Sequence, residues 1–386
     1  MNFLNEIELN LIPITAQMET TGFSINSFKV ADIGERISLK TEAIEKEFNP
    51  VNLNSPKQVK ELLISKGFSK DLVTYLVSGQ AQSTNKNILR HLAKKTPIAK
   101  KILEYRELNK LLNTYITPMC SSIKWAGNYN QTGTMTGRYS SSKPNMQNIP
   151  TRTPLGKEIR SCLMAEYGYK LIISDLSQIE PRLYAFFSKD PKLQHIFNVG
   201  LDFHTAITRN IYGLMYSQEP TKEQRFVGKT VGLATLYGAR TRRLQETLFN
   251  FGVDLPYIKA NNIRNSIIKA FPAAWDWATK MNSNGSRMPY VETLLKRRIP
   301  VCPGMNIVNT LIQGSCADIL KVCLYNVHQS EYTIIATVHD EIIVQVPEDY
   351  AIDDVESIKD LIQNSVVLKG IPIIADTKLA DNWGEK

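Results

Sequence analysis

Two acidic residues lie at the ends of short apolar runs. Asp175 closes LIISD, and Asp340 sits inside TIIATVHDEIIVQV. Runs this short and this rich in β-branched residues read as strands, the second as a hairpin with His339, Asp340 and Glu341 between its arms. If these strands are neighbours in one sheet, the two carboxylates lie close together. Such a pair, bridging two divalent ions about 3.5–4 Å apart, suits in-line phosphoryl displacement. Magnesium fits the task because it takes oxygen ligands and shares its coordination with substrate phosphates. An Asp at a turn is also a common cap or turn former, so for either acid alone both readings stay open.

A second constellation lies in TKEQRFVGKTVGLATLYGAR. Arg225, Lys229, Leu233 and Tyr237 recur every fourth residue, so on a helix they form one stripe of two cations, an aliphatic and an aromatic. Cations near a helix start can hold a triphosphate, and the apolar end can stack on a base or sugar. The same stripe also reads as a solvated Arg/Lys edge beside a buried Leu and Tyr. Gly238 marks a helix end or a close backbone approach.

The elements that must position these groups follow from patterning. The first 125 residues read as mostly helical, including 89–115, where Pro97 marks a break or a helix start. Ser55-Pro56 is an N-cap and first-turn pair, and the polar stretch VSGQAQSTNKN reads as a loop. Residues 126–156 are rich in Gly, Ser, Thr, Asn and Pro, which composition alone assigns to a linker. After Pro303 and Gly304 a long helix is expected.

Composition bounds the answer. At 386 residues, with 43% hydrophobic and 22% charged, the chain is globular in type and long enough for about two to three domains. A net charge of +9 suits a polyanionic partner such as nucleic acid. Cys120, Cys162, Cys302, Cys316 and Cys323 form no C-x-x-C pair, so scattered buried thiols in a reducing compartment are expected. The first residues lack the basic start of a secretory signal, and no apolar run is expected to reach the roughly 18 residues that span a membrane. The expectation is an intracellular, cytoplasmic protein (the host cytoplasm if viral), without a membrane partner.

Taken together, four long segments resemble family A DNA polymerases, the group of bacterial DNA polymerase I and its bacteriophage relatives. TGRYSSSKPNMQNIP at 136–150 is similar to the family's TGR-x-SSS-x-PN-x-QNIP segment. SDLSQIEPRL at 174–183 resembles motif A, RFVGKTVGLATLYG at 225–238 motif B, and TVHDEIIVQV at 337–346 motif C. The order is collinear and the likeness covers nearly the whole chain, with a bacteriophage-type polymerase region the expectation.

The resemblance implies an α+β, right-hand polymerase fold with an antiparallel β palm, helical fingers and a helical thumb. Its expected divisions are an N-terminal part of the palm at 1–40, a thumb at 41–125, palm with motif A at 126–190, fingers with motif B at 191–300, and palm with motif C at 301–386. It implies template-directed DNA synthesis, adding deoxynucleoside triphosphates to a primer 3′-hydroxyl with release of pyrophosphate. Asp175 and Asp340 are the implied ligands of two Mg2+ ions, with Mn2+ as a substitute, helped by the carbonyl of Leu176 and more weakly by Glu341. Gln178, Glu180, His204, Arg225, Lys229, Leu233 and Tyr237 are the implied nucleotide-binding residues, and Lys229 is the expected proton donor to pyrophosphate. Arg138, Asn145, Gln147, Asn148, Arg152, Asn309, Gln313 and His339 are the implied contacts to primer–template DNA, whose minor-groove acceptors are present at every correct pair. Glu180, held by Tyr237, is expected to fill the space a ribose 2′-hydroxyl needs.

Departures from the family pattern are also expected to matter. Leu233 stands where an aromatic residue is usual, and Met305 where relatives often place an Arg. Pro181 and Leu176 replace commoner residues of motif A. The likeness begins almost at Met1, so a 3′–5′ exonuclease domain is expected to be missing, and a separate exonuclease or processivity factor would be a partner of an otherwise monomeric chain. DNA replication is the expected role. Gap-filling or lesion-bypass repair, and an inactive primer–template-binding accessory, are the alternatives.

Overall fold

The strand Tyr169–Leu176 pairs antiparallel with Glu341–Pro347 on one side and with Ala375–Ala380 on the other. Thr333–Val338 adds the fourth strand beyond Glu341–Pro347. Leu171, Ile172, Ile173, Ile342, Ile343 and Val344 are all buried. Successive residues of a strand face opposite ways, so both faces of this sheet are covered, which explains apolar runs without alternation. Helix Ala351–Gln363 packs against the Ala375–Ala380 side, and helix Phe3–Thr21 against Thr333–Val338. This computed structural model describes residues 3–68, 86–94, 96–151 and 153–385.

The expected long helix is Ile307–Gln329, starting after Asn306, whose side-chain oxygen accepts from the Asn309 amide at 2.9 Å. By length and composition this helix could cross a membrane, contrary to the reading that no run is apolar enough. The physical reason is packing: 89% of its apolar window is buried inside the protein, against helices Phe3–Thr21, Ile179–Ser188 and Ala351–Gln363.

Helix Lys222–Leu236 opens on a capping box between Thr221 and Gln224. It crosses helix Phe203–Tyr212 closely because Gly228 and Gly232 face it. A Cβ on Gly228 would lie 2.0 Å from Thr208 Oγ1, and one on Gly232 would lie 2.8 Å from Ile207 Cδ1. The stretch read as a linker contains a small antiparallel pair, Asn128–Asn130 with Ser140–Ser142, and buries Tyr129, Tyr139 and Met146. The polar composition misled because these turns bury aromatics and Met in place of aliphatics.

All of the above lies in one compact unit, Met1–Phe23, Ala126–Asn148 and Ala165–Lys386. The second unit is Ser24–Trp125 with Ile149–Met164. It is helical, with Ile44, Phe48, Val59, Leu63, Leu89 and Ile102 in its core. Ser55 and Thr96 cap helices that begin with Pro56 and Pro97, as the sequence signals indicate. The expected boundary at residue 40 falls inside the unbroken helix Ser27–Phe48. The loop read at 77–87 lies largely outside the described residues. Cys162, Cys316 and Cys323 are buried as expected, whereas Cys120 and Cys302 are exposed, so burial of all five thiols is corrected.

Candidate active site

Strand register brings the two acids together. Asp175 is directly opposite Glu341, the residue after Asp340, and the Leu176 amide donates to the Asp340 carbonyl at 3.1 Å. Both carboxylates are partly exposed at the same end of a buried sheet. The turn is tight: His339 holds φ +58. Glu341 belongs to the strand itself, is 4% exposed, and accepts from the buried Trp383 indole.

Around the acids lies a three-membered polar cluster. Tyr237 Oη donates to one Glu180 oxygen at 2.9 Å, and Arg138 Nη2 donates to the other at 2.7 Å. Burial, and next the charge of Glu180, push the Tyr237 hydroxyl well above its usual range, so it stays a donor. For Arg138, burial pulls the guanidinium pKa down, but the Asp340 and Glu180 carboxylates outweigh it and leave it raised. Arg138 is thus a permanent cation beside Asp340 and Glu180. Tyr184, buried beneath, donates to the Leu236 carbonyl at 2.7 Å and meets the Tyr237 ring edge-on.

Sequence reasoning missed Asp202, the residue that organises the other side of the site. It caps helix Phe203–Tyr212 by accepting from the Thr205 amide at 2.7 Å. The same oxygen accepts from Arg225 Nη2 at 3.1 Å, and the other accepts from Gln178 Nε2 at 2.9 Å. Burial works to raise the Asp202 carboxyl, but the Thr205 hydrogen bonds and Arg225 prevail and hold it below the usual range. Its signal was an Asp just before a helical stretch. Gln178 spends its carbonyl on the Phe203 amide at 2.9 Å, so both ends of its amide hold this junction. Its backbone is left-handed (φ +54), a conformation that costs a non-glycine residue about 1–2 kcal/mol.

Arg225 and Lys229 are exposed, and Leu233 and Tyr237 half-buried, along one face of helix Lys222–Leu236. Lys229 makes no hydrogen bond or ion pair with a described residue. His204 faces the two cations; burial, then Lys229 and Arg225, push its imidazole down to about 4, against an upward pull from Asp202. It is neutral at pH 7, and its Nδ1 is buried with no partner among the described residues.

The segment 138–148 and the long helix complete the site. Gln147 Nε2 donates to the Thr337 carbonyl at 3.0 Å, and its oxygen accepts from the His339 amide at 2.6 Å. Gln147 therefore clamps the turn that carries Asp340. Asn145 accepts from the Gln147 amide at 3.1 Å. Gln313 donates to Asn309 at 3.2 Å across one turn of the long helix. Asn306, also missed, donates to the Tyr237 carbonyl at 2.7 Å and ties this helix to motif B. Arg152 lies outside the described residues.

A family model described as DNA polymerase family A matches residues 29–385. The chain belongs to DNA polymerase family A. The thermostable DNA polymerase I of Thermus thermophilus is 31% identical over 98% of this chain and 48% of its own length. DNA polymerase I of Lactococcus lactis is 31% identical over 100% of this chain and 45% of its own. The chain thus spans about half the length of the curated relatives it matches. A solved structure of the POL domain of Pol1 from M. smegmatis, in complex with DNA primer-template and dNTP, superposes with a TM-score of 0.85. Identity there is 24%, over 98% of this chain and 70% of that one. The fold is accordingly of the α+β, right-hand polymerase class.

Family A DNA polymerases generally use divalent metal ions. The residues here fit such ions: two partly exposed carboxylates at one sheet end offer oxygen donors open to solvent. Among the described residues no group of three or more His, Cys, Asp or Glu is placed to hold a metal. Met305 packs against the apolar cluster of Val291, Ile299, Ile307 and Leu311.

Proposed function

We propose that the chain is a DNA-directed DNA polymerase that adds deoxynucleotides to a primer 3′-hydroxyl on a template. The observation that carries this reading is the pairing that sets Asp175 beside the Asp340 turn, with Glu180, Arg138 and Tyr237 joined next to it. Asp175, Asp340 and the Leu176 carbonyl would hold two Mg2+ ions, which would supply Lewis-acid activation of the primer hydroxyl and charge neutralisation on the triphosphate.

The remaining work falls to side chains. Arg225 and Lys229 bind triphosphate oxygens, and Arg225 exchanges its Asp202 partner to do so. Lys229, with no hydrogen-bond or ion-pair partner among the described residues, is placed to protonate the departing pyrophosphate. Neutral His204 contributes a hydrogen bond. Glu180, fixed from both sides, occupies the volume of a ribose 2′-hydroxyl and so selects deoxynucleotides. Arg138, Asn309, Gln313 and His339 face the primer–template, and Asn145, Gln147 and Asn148 shape that surface. Binding weakens with salt as phosphate contacts release counterions. Replication is the role we favour, and strand-displacement and processivity assays separate it from gap filling.

The test is primer extension on a labelled hairpin with magnesium and four deoxynucleotides. Wild type extends the primer and Asp175→Asn does not. A wild type that binds the hairpin yet adds nothing overturns the reading in favour of a primer–template-binding accessory.

A further inference from the structure

Behind the loop that carries Arg138 lies a cluster of four charges that none of the roles above uses. Arg297 donates through Nε to Asp318 and through Nη2 to Glu8, both at 2.7 Å. Lys321 donates to the same Glu8 oxygen at 2.6 Å. The Asp318 side chain is 0% exposed and that of Lys321 1%, with Arg297 and Glu8 at 18% and 19%. Two cations and two carboxylates cancel, and the Thr293 hydroxyl donates to the second Asp318 oxygen. Buried charge clusters are a poor source of net stability compared with apolar packing, so their directional bonds point to a geometric role.

Those bonds converge on one loop. Lys321 also donates to the Gln131 carbonyl at 2.9 Å, and the Gln131 amide donates to the Glu8 carbonyl at 2.7 Å, which anchors the loop where it begins. Where it ends, Gly137 rests on the Arg297 guanidinium: an added Cβ would lie 2.8 Å from Arg297 Nε, at a residue with φ +78. The Thr134 hydroxyl closes the turn by donating to the Arg138 carbonyl at 2.8 Å. Arg138 leaves this platform directly toward Glu180.

We propose that the Glu8–Arg297–Asp318–Lys321 quartet positions Arg138 and, through it, the Glu180–Tyr237 gate, making Arg297 a positioning residue for sugar discrimination. This rests on the polymerase reading and on Glu180 acting as the gate. A lysine at 297 keeps the charge but cannot bridge two carboxylates with a planar fork. Gly137 then loses its floor, Arg138 drifts, and Glu180 is held by Tyr237 alone.

Single-turnover incorporation of a deoxynucleotide and its ribonucleotide counterpart is compared for wild type, Arg297→Lys and Glu8→Gln, with a thermal melt of each. The ratio of the two kcat/KM values is independent of how much enzyme is folded, so simple destabilisation leaves it unchanged. Arg297→Lys raises the ribonucleotide ratio about fivefold or more, and Glu8→Gln gives the same direction if the lysine variant does not fold. In a Glu180→Ala background the Arg297→Lys change adds nothing further, because both act through one carboxylate. An unchanged ratio in both variants, or full additivity with Glu180→Ala, overturns the proposal while leaving the polymerase reading intact. A wild type that extends no primer sinks that reading and this inference with it.

Discussion

The carboxylate end of the sheet and the cationic face of helix Lys222–Leu236 are built on opposite principles. Asp175 and the Asp340 turn are set by ladder hydrogen bonds in a sheet buried on both faces, with Gln147 clamping the turn from outside. Arg225 and Lys229 stand on an exposed helix edge, and Arg225 is held by the side chains of Asp202 and Thr205. Backbone-fixed ligands suit groups whose separation must not change during reaction. Exchangeable side-chain contacts suit groups that must take hold of a triphosphate and release pyrophosphate.

The contrast is tested first where the backbone fixes geometry. Replacing Asp175 or Asp340 with Asn removes several kcal/mol of charge stabilisation, so primer extension falls by about 10³-fold or more while hairpin binding persists. A loss of less than tenfold would place the metal site elsewhere. On the helix, Lys229→Ala lowers the single-turnover rate by about 10²-fold. Glu180→Ala changes selectivity more than speed, raising relative ribonucleotide incorporation on the order of 10–100-fold. Unaltered sugar discrimination there removes the gate from the mechanism.

Smaller effects sharpen the same comparison. Asp202→Asn frees Arg225 from its resting partner, and a KM shift of about three- to tenfold for the triphosphate, with kcat little changed, reports that exchange. Equal losses in kcat and kcat/KM would instead make Asp202 part of the transition-state machinery. The smallest effect concerns acid. His204 titrates at about 4 when folded, below the ordinary 6.5, because it is buried. Between those values the unfolded chain holds a proton the folded chain lacks, so stability falls as pH drops from about 6.5 toward 4. Thermal melts of His204→Gln lose that component of the slope.

Much of this was legible in the residues. The cap at Ser55, the helix start at Pro97 and the strand character of LIISD each follow from local pattern, and each is found in place. Less legible were residues whose partners are remote. Asp202 reads as a helix cap, yet it joins Gln178 to Arg225 over separations of 24 and 23 residues. Glu8 lies in a helix with little else to mark it, yet it meets Arg297 and Lys321 across the chain. The apolar run of Ile307–Gln329 carries no label to tell a core helix from a membrane span; only its neighbours do.

The sequence by itself determined which chemistry is available: acids at strand ends and cations at helical spacing, with the family resemblance carried by the four motif segments. For the acids and cations spacing along the chain suffices, because period and capping are local properties. The tertiary structure alone decided which groups meet. It placed Arg138 and Tyr237 on the two oxygens of Glu180, set Gln147 against the His339 turn, and gathered four charges beneath Gly137. Hydrogen bonds and ion pairs act over a few ångströms of space, whatever the separation in sequence, so no local pattern could announce them.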